Sequence, residues 1–218
     1  MASFAEGLGR SMTRRSPDTM TTHPSKPLWF TRGLANTICM LAAVGCLTAQ
    51  ELENPSFEEP GSFETQPQGW KVFGDHLRRE TTWHPIKSGE ALLGYGHWRV
   101  TENVPSGIWQ QVQGIAKGDE IVFSISVMAD ACPSDKSPAE SIELILESTE
   151  DGRQVTVASQ KFSVADIPPG AEWQKISVEG KAPTDSLRLM ILVTPSASSD
   201  RSAALKFDDA ELLVTKGS

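Results

Sequence analysis

The sequence predicts an all-β fold, a two-sheet antiparallel sandwich or jelly roll, and three observations carry that expectation. Stretches of residues 50–218 alternate apolar and other side chains with period two, the pattern of strands that rest one face on a core. Turn residues separate these stretches, among them Lys117-Gly118-Asp119, Asp151-Gly152 and Pro168-Pro169-Gly170. No window of about 12 residues or more shows helical periodicity.

Three strands read as internal. In Ile121 to Met128, Ile121, Phe123, Ile125 and Val127 form a core face, and Val122, Ser124, Ser126 and Met128 lie opposite; the latter set is expected to floor a shallow groove. Ile142 to Glu147 sets Ile142, Leu144 and Leu146 against Glu143, Ile145 and Glu147. Leu187 to Val193 sets Leu187, Leu189, Ile191 and Val193 against Arg188, Met190 and Leu192. Further strands are expected over Gly69 to Phe73, Ala91 to Tyr95, Ile108 to Gln113, Gln154 to Phe162, Trp173 to Glu179 and Leu205 to Val214. Asp-Gly within Glu150-Asp151-Gly152-Arg153 suits a type I′ hairpin, because both residues tolerate positive φ.

The chain has 218 residues and a formal net charge of −8, which argues against a nucleic-acid binder. Residues 1–50 hold five basic and two acidic side chains, so the remainder carries 15 basic against 26 acidic, a net of −11. From Leu34 to Thr48 there is no charge, with Lys26 and Arg32 before the run and Ala49 after it. These are the parts of a secretory signal peptide, and about 20 apolar residues would be needed to span a bilayer comfortably. Residues 1–49 are therefore expected to be a leader with a long basic n-region, cleaved near Ala49, and 50–218 a single secreted or periplasmic domain. Met12 or Met20 is an alternative start. An uncleaved anchor, acylation of Cys46 and twin-arginine export through Arg14-Arg15 are the rival readings of the leader, the last ranked lowest. Of three cysteines only Cys132 lies beyond it, so no internal disulfide is available.

A series of short motifs runs in order along 50–218: Asn54-Pro55-Ser56-Phe57-Glu58, Pro67-Gln68-Gly69-Trp70, Lys87-Ser88-Gly89-Glu90-Ala91-Leu92, Trp109-Gln110-Gln111-Val112 leading to Lys117-Gly118-Asp119-Glu120-Ile121, Trp173, and Phe207-Asp208-Asp209-Ala210-Glu211-Leu212. In this order and spacing the chain resembles carbohydrate-binding modules of the family 4 and 9 type, which are galactose-binding-like jelly rolls. The resemblance implies that Trp70 and Trp173 plug the core. It also implies a structural Ca²⁺ held by Glu58, Asp208 and backbone carbonyls near Lys87 and Ser88, cross-linking the first and last strands.

The residues themselves offer an aromatic platform. Sugar rings present apolar C–H faces to indoles while their hydroxyls seek amides, guanidinium groups and carboxylates. Trp83, Trp98 and Trp109 are the tryptophans expected to be more exposed, with Tyr95 and Arg99 beside Trp98, and Gln111 on the strand face of Trp109. Packing of Trp98 and Trp109 under loops stays open as the alternative. Catalysis is not expected: the four histidines show no zinc-binding spacing, there is no GxSxG elbow, and Cys132 has no histidine nearby in sequence. The expected function is a non-catalytic, glycan-binding module; the rival is an envelope structural or protein-interaction sandwich, since exposed indoles also dominate protein interfaces.

Overall fold

The computed structural model describes residues 47–96, 104–131, 137–170, 172–195 and 203–217, with side chains described from 50 onward. Among the described residues eleven strands run in chain order: β1 Leu47–Gln50, β2 Lys71–Phe73, β3 Leu77–Glu80, β4 Leu92–Gly96, β5 Ser106–Gln113, β6 Glu120–Ala129, β7 Ser141–Glu150, β8 Arg153–Ser163, β9 Gln174–Lys181, β10 Ser186–Thr194 and β11 Ala204–Thr215. They form two antiparallel sheets. The first runs β3-β4-β11-β6-β9, with β1 also paired to β11; the second runs β2-β5-β10-β7-β8. The expected sandwich is what the chain adopts.

The alternation in the sequence places the core. Ile121, Phe123, Ile125 and Val127 of β6 face Ile142, Leu144 and Leu146 of β7 and Leu187, Leu189, Ile191 and Val193 of β10 across the sandwich, all buried in one cluster. Each such side chain contributes about 1.5–3 kcal/mol when fully removed from water. The β7–β8 hairpin turns through Asp151 at φ 50° and Gly152 at φ 75°, with Glu150 opposite Arg153, the positive-φ pair of a type I′ turn.

Trp70 lies in the core as expected, 1% exposed. Its ring tilts against Phe57 at 5.5 Å, and its Nε1–H donates to the carbonyls of Glu53 and Asn54, both at 3.1 Å. Buried Gln110 of β5 holds the same segment: its Nε2 donates to the carbonyl of Glu53 at 2.8 Å, and its Oε1 accepts from the Glu53 N–H at 3.0 Å. Thus the Glu53 N–H and the carbonyls of Glu53 and Asn54, outside any strand, are bonded by side chains. Trp173 departs from the expectation. It is only half-buried, immediately before β9, because Ile176 and Val178 carry that strand's core contacts.

β11 changes parity partway along. Leu205 and Phe207 point inward, and so do Ala210, Leu212 and Val214. A β-bulge between Asp208 and Glu211 absorbs the extra residue, with Asp209 at φ 50°. The left-handed residue of such a bulge is usually glycine, and aspartate is among the few others that adopt it readily.

The outer face of the first sheet is not a groove. Ser124, Ser126 and Met128 are buried, which corrects the expectation for that face. Residues 81–91 pass over it: Trp83 occupies the space above Gly94 of β4 that a side chain there would need, the carbonyl of His84 accepts from the buried Lys206 ammonium at 2.7 Å, and the N–H groups of Lys87 and Ser88 bond Asp208. The expected leader boundary at Ala49 falls within β1, so cleavage there would leave only Gln50 of that strand. Among the described residues no helix is long and apolar enough to cross a membrane.

Two outcomes follow from this packing. Trp70→Ala should cost about 3–5 kcal/mol, read from denaturant unfolding, whereas the exposed Phe63→Ala should leave the midpoint in place. Asp119 ties the β5–β6 turn to the end of the chain: its carboxylate accepts from Lys216 Nζ at 2.9 Å, Ala116 N–H at 2.8 Å and Gly217 N–H at 3.0 Å. The bond from Lys216, with the two amides, lowers it to about 2. A depressed folded-state value means this stabilisation is present above about pH 4 and is lost as pH falls toward 2. Asp119→Asn should therefore melt lower at neutral pH and flatten the stability curve between those two pH values.

Candidate functional site

The second sheet presents its outer face differently. Interstrand register places Lys71, Trp109, Met190, Ile145 and Ser159 in one row across β2, β5, β10, β7 and β8. Phe73, Gly107, Leu192, Glu143 and Lys161 form the row on one side of it, and Gln111, Arg188, Glu147 and Thr156 the row on the other. Facing residues in register share a face, so the middle row is apolar at its centre, the row through Phe73 and Leu192 extends that patch before ending in Glu143 and Lys161, and the row through Gln111 is polar. Phe73 is 38% exposed and its ring lies where a side chain at 107 would go, so glycine there makes room for it.

Trp109 is the half-exposed centre of this surface. Lys71 Nζ and Arg188 Cζ each lie 4.9 Å from its ring centroid, within the range of a cation–π contact. Arg188 is itself tied to Glu147 on β7, with side chains only 18% and 13% exposed. That pair steadies the indole from the β10 side, while Lys71 remains exposed. Beside the ring is a cleft of about 520 Å³ lined by Gln50, Glu51, Glu53, Lys71, Gln111 and Gln113, among others. Amides, carboxylates and the Lys71 ammonium thus surround one aromatic surface.

The expected ligand residues divide. Trp109 and Gln111 come together on the outer face of the second sheet. Trp83 lies against the first sheet, on the far side of the sandwich, half-buried over Gly94. Tyr95 is fully buried beside His76, ring centroids 5.5 Å apart, and burial pushes its phenol up. It shares the inward face of β4 with Leu93, so it presents no surface to a ligand and leaves the platform. Trp98 and Arg99 lie outside the described residues, as does Cys132. Lys71, Phe73 and Arg188 were not foreseen as part of the site. The alternation of Leu187 to Val193 does put Arg188 away from the core, but only strand register brings it to Trp109.

The corner assigned to calcium is also assembled: Glu58, Lys87, Ser88 and Asp208 meet. Asp208 is fully buried. Its Oδ2 accepts from the N–H of Lys87 at 3.1 Å and of Ser88 at 3.0 Å, and its Oδ1 from the Asp209 N–H at 2.8 Å. Glu58 accepts from the N–H of Glu90 at 2.9 Å and of Ala91 at 3.4 Å. Burial pushes the Asp208 carboxyl up to about 6, helped by the Asp209 charge and opposed by the three amides. Burial also acts to raise Asp209, but Lys87, Ser88 and Ser56 outweigh it and hold that carboxyl below its usual range. Calcium gathers about six to eight oxygens around one point. Here Lys87 and Ser88 turn amide donors rather than carbonyls toward Asp208, and among the described residues no group of three His, Cys, Asp or Glu side chains converges. The donor set does not fit the ion.

No protein-family model matches the chain, and no curated protein matches it in sequence. Solved structures do match its fold. A cyclase from Fischerella sp. TAU superposes with TM-score 0.59 at 11% identity, over 79% of this chain and 100% of that one. The tandem CBM22-1 and CBM22-2 domains of Paenibacillus barcinonensis Xyn10C give TM-score 0.50 at 18% identity, over 80% of this chain and 46% of that one. An arabinose-bound GH51 α-L-arabinofuranosidase gives 0.52 at 16%, over 78% of this chain and 27% of that one. At these identities the likeness establishes the sandwich, a fold that carries both an enzyme and binding modules.

Proposed function

We propose that the chain is a non-catalytic carbohydrate-binding module, working outside the cytoplasm, that takes a glycan on the outer face of its second sheet. The observation that carries this reading is Trp109: an indole held in place at the centre of a sheet face, beside a cleft lined by glutamines and carboxylates. A sugar ring stacks its C–H face on the indole. Gln111, Gln113 and Glu53 then offer acceptors and donors to its hydroxyls. Lys71 occupies the ring in the unliganded protein, but an exposed cation–π contact is worth only about 0.5–1 kcal/mol, so a stacking sugar displaces it at small cost. Arg188 stays, because Glu147 anchors it. The fold shared with the CBM22 pair supports the reading.

A partner protein is the second reading. One observation favours it: Phe63 is 71% exposed in the segment between the Pro60–Pro67 bridge, and exposed aromatics anchor protein interfaces.

Affinity electrophoresis through gels containing neutral and acidic plant and microbial polysaccharides tests the proposal. The wild-type chain should be retarded by at least one polysaccharide. Trp109→Ala should weaken that binding at least tenfold, about 1.4 kcal/mol, with a smaller loss for Gln111→Ala. Phe63→Ala, away from the sheet face, should bind as wild type. Binding that survives Trp109→Ala would move the site elsewhere, and no retardation on any polysaccharide would leave the partner-protein reading.

A further inference from the structure

We propose that this chain does with two of its own side-chain cations, Arg79 and Lys87, the cross-linking that a calcium ion would do at the same corner, and that its fold is stable without a bound metal. Three pieces of chain meet there: the segment 54–59 that precedes β2, the segment 81–91 that crosses the first sheet, and the bulge of β11. An ion would have to join all three.

Arg79 on β3 joins the first piece to the sheet. Its Nε donates to the carbonyl of Phe57 at 2.8 Å and its Nη2 to the carbonyl of Glu58 at 2.6 Å. A guanidinium thus satisfies two backbone oxygens from the segment that the resemblance assigns to the metal. Its fixed fork suits paired acceptors. Lys87 joins the second piece to the third, its ammonium pairing with Asp209 of the bulge. Ser88 Oγ donates to Asp209 Oδ1, and Ser56 Oγ donates to the same atom at 3.0 Å, so one carboxylate gathers the first and second pieces onto the third. The Ala210 N–H closes the corner on the carbonyl of Pro55 at 2.9 Å.

The remaining carboxylates are turned to amides. Glu58 receives the N–H groups of Glu90 and Ala91, and Asp208 those of Lys87, Ser88 and Asp209. Amide hydrogens carry partial positive charge, so five of them directed at these two carboxylates supply locally what a cation would supply, and oppose its approach.

The experiment uses the full purified chain and needs no knowledge of its ligand. Its melting temperature is measured after dialysis against excess EDTA and again in excess CaCl₂, and its metal content by inductively coupled plasma mass spectrometry. The expected result is the same melting temperature in both and no stoichiometric calcium. Lys87→Met and Arg79→Met should each melt lower, Lys87→Met by about 2–4 °C for a partly exposed pair in a domain of this size, with no recovery in CaCl₂. Lys87→Arg, which keeps the charge, should recover most of the loss. A melting temperature that rises with calcium, bound calcium at one per chain, or Lys87→Met and Arg79→Met that both melt as wild type would overturn the proposal. If Lys87→Met does not fold, Lys87→Arg and the wild-type EDTA comparison decide it.

Discussion

The bulge in β11 is the constraint on which the rest of the first sheet depends. β11 is the spine of that sheet: it pairs with β6 along one edge and with β4, then β1, along the other. A strand of 12 residues with strict alternation could not place Leu205 and Phe207 and then Ala210, Leu212 and Val214 on the same core. One extra residue, accommodated at Asp209 with positive φ, lets both halves face inward. The same residue leaves Asp208 and Asp209 at the break between β4 and β1, where the edge of β11 would otherwise lack a partner. Pro55 fills that break by accepting from Ala210. The N-terminal segment is thus drawn to the sheet by a backbone position that only the bulge creates.

That arrangement makes the two outer faces unequal. On the first sheet, residues 81–91 are fixed to β4 by Trp83 over Gly94, to β11 by Asp208 and Asp209, and by the His84 carbonyl on Lys206. Lys206 is buried but paired with Asp130, as a buried ammonium must be. On the second sheet the outward residues are large and partly exposed, and the ion pair there, Arg188 with Glu147, bridges neighbouring strands rather than holding a covering segment. A sandwich of this kind has two surfaces able to meet a ligand, and intramolecular contacts occupy one of them.

Much of this was legible in the sequence, and the limits have physical causes. β6, β7 and β10 were readable because they are central, so their inward positions are uniformly apolar. β3, Leu-Arg-Arg-Glu, was not read as a strand: only Leu77 enters the core, and an edge strand tolerates charge on its other positions. Ser124 and Ser126 looked solvent-facing by alternation, and they do point away from the core. Their neighbours in register are Ser177 and Lys175 on β9 and Glu211 and Asp208 on β11, with Lys175 paired to Glu211, and no local pattern reports such company. Tyr95 was misplaced for a related reason. In Leu92-Leu93-Gly94-Tyr95 both parities carry a leucine, so alternation does not say which face is inward; the shape of Gly94 against Trp83 decides it. For Trp109 the strand and its outward neighbour Gln111 were evident. Lys71 and Arg188 reach it from strands 38 residues before and 79 after it in the chain, and pairing across such separations is a tertiary fact.

The corner and the indole face lie on opposite sheets with the core between them, roughly 10 Å from sheet to sheet. They share no hydrogen bond or ion pair among the described residues, although both touch the segment just before β2. Glu53 lines the cleft near Trp109 and is clamped by Trp70 and Gln110, whereas Ser56 and Glu58 belong to the corner. Asn54 stands between them at φ 50°, its side chain bonded to Glu59 on both sides of the amide and to Gln68. These bonds pin the stretch at both ends, so a shift at one end has to be absorbed within a few residues rather than carried through. Groups separated in this way, with no shared partner, contribute to free energy almost independently. Side chains on the outer face of the second sheet can therefore change without loss of the bulge and the segments gathered on it.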